Sequence, residues 1–341
     1  MSECRLDVLA IGNAVVDVIA VADEAFLVSE GLEKGSMRLL EPDAALDLYA
    51  RMGPARETSG GSAANTVAGV AALGGRAAFV GQVADDQLGD VFRHDILAHG
   101  VEFATAARAG DVPTGRCLIL VTPDGQRTMN TCLGASEFLP AAALDPAQIA
   151  SAAILYLEGY MWGPAEPRAA MLRAVAIARA AGRKTAFTLS ESFIIRRHRA
   201  DFLAMIARGD IDILFANETE IRALAGTEDF EAAVAATAAQ VPCLIVTRSD
   251  QGALCIAGGE RYEVPAEPVG RVVDTTGAGD LFASGFLAGY AKGLPTRECL
   301  TIGAISAAEV ISHYGARPEA DLQALVAARL GTGGQGEPVR A

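Results

Sequence analysis

Short apolar runs alternate along the chain with longer Ala-rich stretches that carry apolar residues at helical spacing. Apolar runs bounded by turn residues predict buried strands, and the longer stretches predict amphipathic helices. Strands are predicted at 7–11, 77–81, 154–157, 185–189, 211–215 and 243–247. Helices are predicted at 63–73, 86–99, 164–181, 218–225, 230–240, 278–292, 296–313 and 319–330. This alternation predicts an α/β fold in which helices cover a mostly parallel sheet.

Residues 18–40 and 101–131 interrupt this rhythm. The second stretch contains the apolar run CLILV and the turn signal PDG, which together predict a β-hairpin. Neither stretch is long enough to form a domain, so we expect both to build one small sheet inserted into a main domain of residues 1–330. A small flap over a βα sheet is a common way to exclude water from reacting groups. The Gly-rich tail, residues 331–341, is expected to be flexible.

The composition narrows the class of protein. The 341 residues include 42 acidic and 28 basic side chains, which give a net charge of −14, and 51% are hydrophobic. Such an acidic chain repels phosphate backbones and anionic lipid, which argues against nucleic-acid and membrane partners, whereas a few backbone amides can still bind a small anion. Six cysteines without a C-x-x-C pair indicate neither a zinc site nor a disulfide framework. No signal peptide or membrane-spanning run is apparent, so a cytoplasmic location is expected.

The segment VVDTTGAGDLFASGF places small residues directly before an apolar helix. The backbone amides of Gly277, Ala278 and Gly279 can converge where the positive end of the helix dipole adds to them, which stabilises a transferring phosphoryl group. Asp280 follows in the first turn, and its ionised carboxylate can accept the proton of an attacking hydroxyl. The alternative interpretation is a Gly-rich loop in which Asp280 only caps the helix.

Two further segments place polar residues near predicted strand and helix ends. In TSGGSAANTVAG, Gly60 and Gly61 permit close approach of a ligand to the backbone, and Asn65 can bind that ligand from the following helix. In IGNAVVDV, Asn13 and Asp17 follow the first strand, where a carboxylate can bind sugar hydroxyls. The structural alternatives are a helix start with a small-residue packing face, and a turn Asn with a solvated Asp.

Together these segments resemble the paired signatures of the ribokinase-like (PfkB) carbohydrate kinases, over about residues 5–320. FANETEI, which contains Asn217 and Glu220, resembles the N-x-x-E element of the same family. The resemblance implies a three-layer α/β/α core with a small β-sheet lid, and transfer of the γ-phosphate of ATP to a hydroxymethyl group. It also implies that Asp280 is the catalytic base and that residues 277–279 form the anion hole.

The resemblance also assigns roles to the other motif residues. Contacts with the acceptor are implied for Asn13, Asp17, Gly60, Gly61 and Asn65. Positions in the ATP pocket are implied for Asn217, Thr247 and Gly252. Mg²⁺ is expected near Glu220, through water. Many members also bind K⁺ through backbone carbonyls, which implies a K⁺ site around Asp274, Thr276 and the HYGA segment at 313–316.

The acceptor is the least determined part of this prediction. GNAVVDV, TLSESFI and DILFANETE follow the order of elements in adenosine kinases, so a nucleoside, adenosine first, is the leading acceptor and a ribose-like or ketose sugar the alternative. On that comparison Tyr160 and Phe193 flank a purine ring; the alternative is that both are ordinary core aromatics. Arg127 of the hairpin is predicted to be a solvated charge rather than a contact of the active site. Thr276 departs from the eukaryotic adenosine kinases, which have Asn there, and agrees with many sugar kinases of the family.

Two other enzyme classes are disfavoured. A dinucleotide-binding oxidoreductase would carry G-x-G-x-x-G after its first strand, where this chain has GNAVVD. A Walker-type kinase is excluded because the chain contains no G-x-x-x-x-G-K-[ST] motif. The oligomeric state is left open between a monomer and a homodimer formed through the lid.

Overall fold

The structure, a computed structural model, describes residues 4–332. Its strands are β1 (Leu6–Ile11), β2 (Val15–Val21), β3 (Met37–Leu39), β4 (Ala55–Gly60), β5 (Ala77–Val80), β6 (Val101–Phe103), β7 (Thr114–Val121), β8 (Arg127–Gly134), β9 (Ala152–Glu158), β10 (Lys184–Thr188), β11 (Ile213–Asn217), β12 (Cys243–Thr247), β13 (Ala253–Ala257) and β14 (Glu260–Val264). Its helices are α1 (Glu24–Ser29), α2 (Pro42–Arg51), α3 (Ser62–Ala72), α4 (Gln87–Ala98), α5 (Pro146–Ser151), α6 (Ala165–Ala180), α7 (Ser192–Ala207), α8 (Glu218–Ala225), α9 (Phe230–Ala238), α10 (Ala278–Ala291), α11 (Thr296–Val310) and α12 (Leu322–Thr332).

Nine strands form a large sheet in the order β14-β13-β12-β11-β10-β9-β1-β5-β6. The strands from β12 to β6 run parallel, and β13 and β14 add an antiparallel hairpin at one edge. Side chains alternate between the two faces of each strand. On β1, Val8 and Ala10 pack in the core that includes α3, α10 and α11, whereas Leu9 and Ile11 pack in the core that includes α6 to α9. The predicted three-layer α/β/α core is therefore confirmed.

A second sheet has five strands in the order β3-β8-β7-β2-β4. It is built by residues 15–60 and 114–134, so its segments differ from the predicted 18–40 and 101–131. The first segment also includes α2 and the polar edge strand β4, and β6 of the second predicted stretch pairs with β5 in the large sheet. The apolar pattern did not show these limits, because β2 continues directly from the loop after β1 and β4 has the polar sequence ARETSG.

The two faces of the small sheet have different surroundings. Residues in register across β2 and β7 share a face, so Asp17 lies beside Cys117 and Ile19 beside Ile119. The opposite face of β2 packs with Leu27 of α1 and with Ala45 and Leu48 of α2. These helices therefore cover one face, and the face with Asp17 is turned toward the large sheet.

Helix α7 and the β13–β14 hairpin were not predicted from the sequence. Helix α12 extends to Thr332, so the first two residues of the predicted flexible tail are helical, and the remainder of that prediction lies outside the described residues. Within residues 4–332, no helix combines the length and the apolar character needed to span a bilayer.

Candidate active site

The parallel strands of the large sheet end along one edge, where the chain passes into the small sheet. Asn13 follows β1, Glu158 ends β9, Asn217 ends β11 and Thr247 ends β12. Ligands of parallel α/β sheets bind beyond the carboxyl ends of the strands. The fold thus brings residues from widely separated sequence motifs to the carboxyl edge of the large sheet, where a ligand is expected.

The start of α10 presents backbone amides. Gly277 is the N-cap residue with a φ of 78°, a conformation that favours glycine, and a side chain there would press against Ala316. The N–H groups of Gly279 and Asp280 lie in the first helical turn, where amides have no acceptor within the helix. The N–H of Ala278 has only a long contact, 3.4 Å, with the Thr275 carbonyl. These amides and the helix dipole form a positive end that can bind an anionic oxygen.

Two side chains of α3 orient the Asp280 carboxylate. Ser62 Oγ donates to Oδ1 at 2.6 Å, and Asn65 Nδ2 donates to Oδ2 at 2.9 Å. Burial raises the pKa of the Asp280 carboxyl, while these two hydrogen bonds and the charges of Arg127 and Arg317 oppose the increase. A carboxylate that is fixed in this way and has a raised pKa is suited to accept a proton near neutral pH. Ser62 was not selected from the sequence, although it directly follows the Gly60-Gly61 pair.

Asp17 lies in the same electrostatic environment as Asp280. Asp17 is 4% exposed, and its carboxyl packs over Gly60, where any Cβ would overlap it. Burial raises the pKa of Asp17 to about 7; the Arg317 charge opposes this increase and the Asp280 charge adds to it. The two carboxylates predicted for base catalysis and acceptor binding therefore influence each other, and the missing side chain of Gly60 leaves room for the Asp17 carboxylate.

Glu158, which the sequence analysis did not select, joins two of the predicted segments. Its fully buried carboxyl accepts hydrogen bonds from the Asn13 N–H at 2.8 Å and the Ala63 N–H at 2.7 Å. Burial raises its pKa to about 7. The glutamate thus holds the loop after β1 against the start of α3, where Gly61 is the N-cap residue. Its role in this structure is to position the two segments for which acceptor contacts were predicted.

On the other side of the edge, Asn217 and Glu220 bind each other. Asn217 caps α8 by accepting from the Glu220 N–H at 2.9 Å. Glu220 accepts from the backbone and side-chain N–H groups of Asn217 at 3.0 and 2.8 Å. Burial raises the pKa of Glu220 to about 7. Each carboxylate oxygen of Glu220 thus accepts one hydrogen bond from Asn217. Thr247 ends β12, and Gly252 directly precedes β13 in the loop that follows.

The loop before α10 meets the segment after α11. Asp274 is fully buried and accepts from the Thr276 N–H at 2.9 Å, the Thr276 hydroxyl at 2.6 Å and the Gly315 N–H at 2.9 Å. These hydrogen bonds bring together the two segments for which a K⁺ site was predicted. The Asp274 carboxylate is engaged in these hydrogen bonds between the loops. Backbone carbonyls of the same loops are therefore the groups that would bind a cation.

Arg127 contacts the active-site loop, so its prediction as a solvated charge is wrong. Its Nη1 donates to the Thr275 carbonyl, because β8 extends the hairpin far enough to place its turn against residues 272–273.

Tyr160 lies in a short 3₁₀ turn after β9, where burial and the charges of Glu191 and Glu220 raise the pKa of its hydroxyl. Phe193, in the first turn of α7, is 36% exposed.

Comparison with known proteins shows the family to which the chain belongs. The model of the pfkB family of carbohydrate kinases matches residues 40–322. The crystal structure of adenosine kinase from Sinorhizobium meliloti is 49% identical, with a TM-score of 0.92 over 96% of this chain and 99% of that chain. That of a "probable sugar kinase protein" from Rhizobium etli CFN 42 is 46% identical, with a TM-score of 0.93 and the same coverage. Fructokinase-1 from Oryza sativa subsp. japonica is 32% identical over 235 residues, which are 67% of this chain and 72% of that protein. The chain belongs to the pfkB family of carbohydrate kinases and is a phosphotransferase that acts on a hydroxyl group.

Proposed function

We propose that this protein transfers the γ-phosphate of ATP to the 5′-hydroxyl of a nucleoside, with adenosine as the first acceptor. The observation that carries the proposal is the pairing of the Asp280 carboxylate, held by Ser62 and Asn65, with the amides at the start of α10. Phosphoryl transfer requires an oriented base for the acceptor and preorganised donors for the charge on the transferring group. One helix terminus supplies both.

In the proposed reaction, Asp280 accepts the proton of the acceptor hydroxyl as its oxygen attacks the γ-phosphorus. The amides of residues 277–279 stabilise the charge on the transferring phosphoryl group, while the bond from phosphorus to the leaving oxygen of ADP breaks. The Asp17 carboxylate and Asn65 bind the other hydroxyls of the acceptor, and the small sheet excludes water. The proton remains on an Asp280 oxygen until the products leave.

The residues at this edge fit a magnesium nucleotide. Within the described part of the chain, no three His, Cys, Asp or Glu side chains are arranged to hold a metal ion. Mg²⁺ in kinases commonly binds phosphates, waters and one or two carboxylates, a role that Glu220 could serve through water. When bound, Mg²⁺ neutralises charge on the phosphates. A K⁺ ion bound by carbonyls near Asp274, Thr276 and residues 313–316 remains a proposal, which activity independent of monovalent cations would reject.

Two observations favour a nucleoside as the acceptor. The adenosine kinase from Sinorhizobium meliloti is similar to nearly the whole of this chain. Tyr160 directly follows β9 at the carboxyl edge of the large sheet, where its aromatic ring can contact a flat base. Phe193, half-exposed near Glu191, is a second candidate for that contact.

A sugar kinase is the second candidate function. The chain is nearly as similar to the sugar kinase structure from Rhizobium etli as to the adenosine kinase, and Thr276 agrees with sugar kinases. A monomer and a homodimer through the lid both belong to the proposal, because α1 and α2 cover one face of the small sheet while Val28 of α1 and Leu46 of α2 are exposed. A cytoplasmic location is part of the proposal.

An acceptor screen tests the proposal. ADP release would be measured with Mg-ATP and, separately, adenosine, cytidine, guanosine, ribose and fructose, and each product would be identified by mass. We expect kcat/KM for adenosine to exceed that for either sugar by at least about 100-fold, because only a nucleoside engages both the polyol contacts and the aromatic ring. Turnover of a sugar and of no nucleoside would replace the proposal with the second candidate. Asp280→Asn protein purified in parallel reports any contaminating kinase.

A further inference from the structure

Arg317 is a buried arginine that the sequence analysis did not select. It follows α11 and is 6% exposed. Its Nη2 donates to Ser59 Oγ at 2.8 Å, and that hydroxyl donates to Asp95 at 2.5 Å. Among the described residues, Nε and Nη1 of Arg317 have no hydrogen-bond partner although both atoms are buried. One end of the guanidinium is therefore anchored, and the other end has free donors.

Arg317 lies beside the candidate active site, because its neighbour Ala316 packs against Gly277 and its partner Ser59 directly precedes Gly60, which packs on Asp17. Electrostatic interaction couples the guanidinium to Asp17 and Asp280, in addition to Asp95. Among residues 4–332 it forms no ion pair within 4.0 Å with these carboxylates, so no salt bridge engages the donors of Nε and Nη1. A guanidinium presents its N–H donors in a fixed plane and accepts nothing, so its natural partner there is an oxygen atom.

A second unpartnered atom lies beside the same carboxylate. Asn65 binds Asp280 through Nδ2, and its Oδ1 is buried without a donor in residues 4–332. Free donors on Arg317 and a free acceptor on Asn65 thus occur around Asp280. A hydroxyl group matches both because it accepts and donates, whereas an ionised phosphate or carboxylate only accepts.

The charges around the site also select against an anionic acceptor. Asp17, Asp280 and Asp95 face Arg317, and Arg127 is the other cation coupled to Asp17 and Asp280. Asp274 is also coupled to Asp17, so four carboxylates against two guanidiniums leave no excess positive charge for a carboxylate or phosphate on the acceptor. A buried uncompensated anion is costly, so a neutral acceptor is favoured.

We propose that Arg317 is a specificity-determining residue of the acceptor site, whose Nε–H and Nη1–H donate to a hydroxyl oxygen of a neutral, polyhydroxylated acceptor opposite Asp17. The inference rests on the proposed function and deepens it, since it assigns a cation to the binding of the hydroxyls that do not react. It also predicts that sugar acids and sugar phosphates are poor acceptors.

Kinetics of three variants test the contact. Arg317→Met should raise the KM for adenosine by about 10- to 100-fold, the loss expected for a hydrogen bond to a charged donor, and leave the KM for ATP within about twofold. Arg317→Lys, which keeps the charge but loses the planar donors, should lie between Arg317→Met and wild type. The control is Arg56→Met, because Arg56 forms a surface ion pair with Glu319, two residues from Arg317. Equal changes in the KM values of adenosine and ATP would overturn the proposal.

Analogues of adenosine that lack one ribose hydroxyl show which hydroxyl Arg317 binds. In wild type, 2′-deoxyadenosine or 3′-deoxyadenosine should lose kcat/KM relative to adenosine. In Arg317→Met, the penalty for the hydroxyl that Arg317 binds should shrink at least about fivefold, because its partner is already gone. Unchanged penalties for both analogues would contradict the contact. If Arg317→Met fails to fold, the same comparison uses Arg317→Lys and Ser59→Ala, which removes the anchoring hydroxyl.

A titration without acceptor separates this inference from the proposed function. Asp17 faces Arg317, Asp280, Asp274 and Arg127 from the surrounding elements, and Cys117 from β7. In ¹³C-carboxyl-labelled protein, with Asp17 assigned through Asp17→Asn, the Asp17 midpoint should move upward by about 1 pH unit in Arg317→Met. The midpoint should stay in place in Arg56→Met, and in Arg317→Lys it should move less than in Arg317→Met, because lysine keeps the positive charge.

These measurements have distinct outcomes. If wild type turns over no nucleoside but phosphorylates a sugar, the nucleoside proposal fails, and the KM comparison for Arg317 is made with that sugar. If wild type turns over no acceptor at all, the titration decides the inference. An Asp17 midpoint that is the same in wild type and Arg317→Met would show that the guanidinium does not face the acceptor carboxylate and would overturn the inference.

Discussion

At the scale of single residues, the Asp280 carboxylate has the most direct test. Asp280→Asn keeps the shape of the side chain but removes the base. We expect kcat to fall about 10²- to 10⁴-fold, whereas the Kd for ATP changes little, because the amides that bind phosphate belong to the backbone. Steady-state ADP release and calorimetric titration of ATP measure the two quantities, with the exposed Asp43→Asn as control. A near-normal kcat would contradict the assignment of the base.

Ser62 should influence the reaction only through Asp280. Ser62→Ala removes a 2.6 Å hydrogen bond to the ionised carboxylate, so the pKa of Asp280 should rise further. Because the base must be ionised, the acid limb of the kcat profile should move to higher pH, with a loss of about 10-fold near neutral pH that shrinks at alkaline pH. Ser306→Ala, which removes a buried hydroxyl bonded to the Ile302 carbonyl, is the matched control. Equal loss at every pH would indicate a packing effect instead.

The functional residues that the sequence did not predict were missed for one physical reason. Asp280, Gly60 and Asn65 stand in recognisable motifs, but Ser62, Glu158 and Arg317 act through contacts made only in the folded chain. Ser62 and Asp280 are 218 positions apart, and Ser59 and Arg317 are 258 apart. A serine at a helix start is an ordinary N-terminal residue, and a single arginine has no local pattern that predicts burial.

At the scale of elements, the β7–β8 hairpin connects the small sheet to the loop before α10. Arg127→Met removes the donor to the Thr275 carbonyl and leaves the strand pairing intact. We expect less phosphoryl transfer and more ATP hydrolysis without acceptor, since water enters a less closed site. The control, Lys34→Met, breaks ion pairs with Glu24 and Asp124 near the turn of the same hairpin. An unchanged ratio of hydrolysis to transfer would argue against closure by this contact.

Elements with a continuous apolar pattern were predictable, and those with an interrupted one were not. The parallel strands are short buried runs, which the sequence displays directly. Helix α7 buries Ile194 and Ile195 at one end and Phe202 and Met205 near the other, separated by the charged run RRHRAD and a non-helical His198. That gap hides the helical period. The β13–β14 hairpin had a readable signal, since Gly258-Gly259 between ALCIA and ERYEV is a common two-residue turn.

At the scale of the whole molecule, the site concentrates buried carboxyls at one sheet edge. Burial raises the pKa values of Asp17, Glu158 and Glu220 to about 7, above their ordinary values of 3.8 and 4.5. Between about pH 4 and pH 7, the folded state therefore keeps protons that the unfolded chain releases. The stability that this protonation contributes is complete below pH 4 and is lost as pH rises through 7. Carboxyls with lowered pKa values, such as Asp95 and Glu309, are ionised in both states over most of this range and do not cancel the effect.

Glu158→Gln isolates one of these groups, because glutamine cannot ionise. At pH 5 the variant should be less stable than wild type, since its NH₂ group cannot accept from the N–H groups of both Asn13 and Ala63. From pH 5 to pH 8 the wild type should lose on the order of 2 kcal/mol that the variant does not lose, so the gap in unfolding free energy should narrow. Urea unfolding at several pH values measures that gap, and titrating groups common to both proteins cancel in the difference. The exposed Glu33→Gln should give a constant difference. A constant difference for Glu158→Gln as well would mean that this carboxyl does not titrate near neutral pH in the folded protein, and that its role is confined to the two hydrogen bonds.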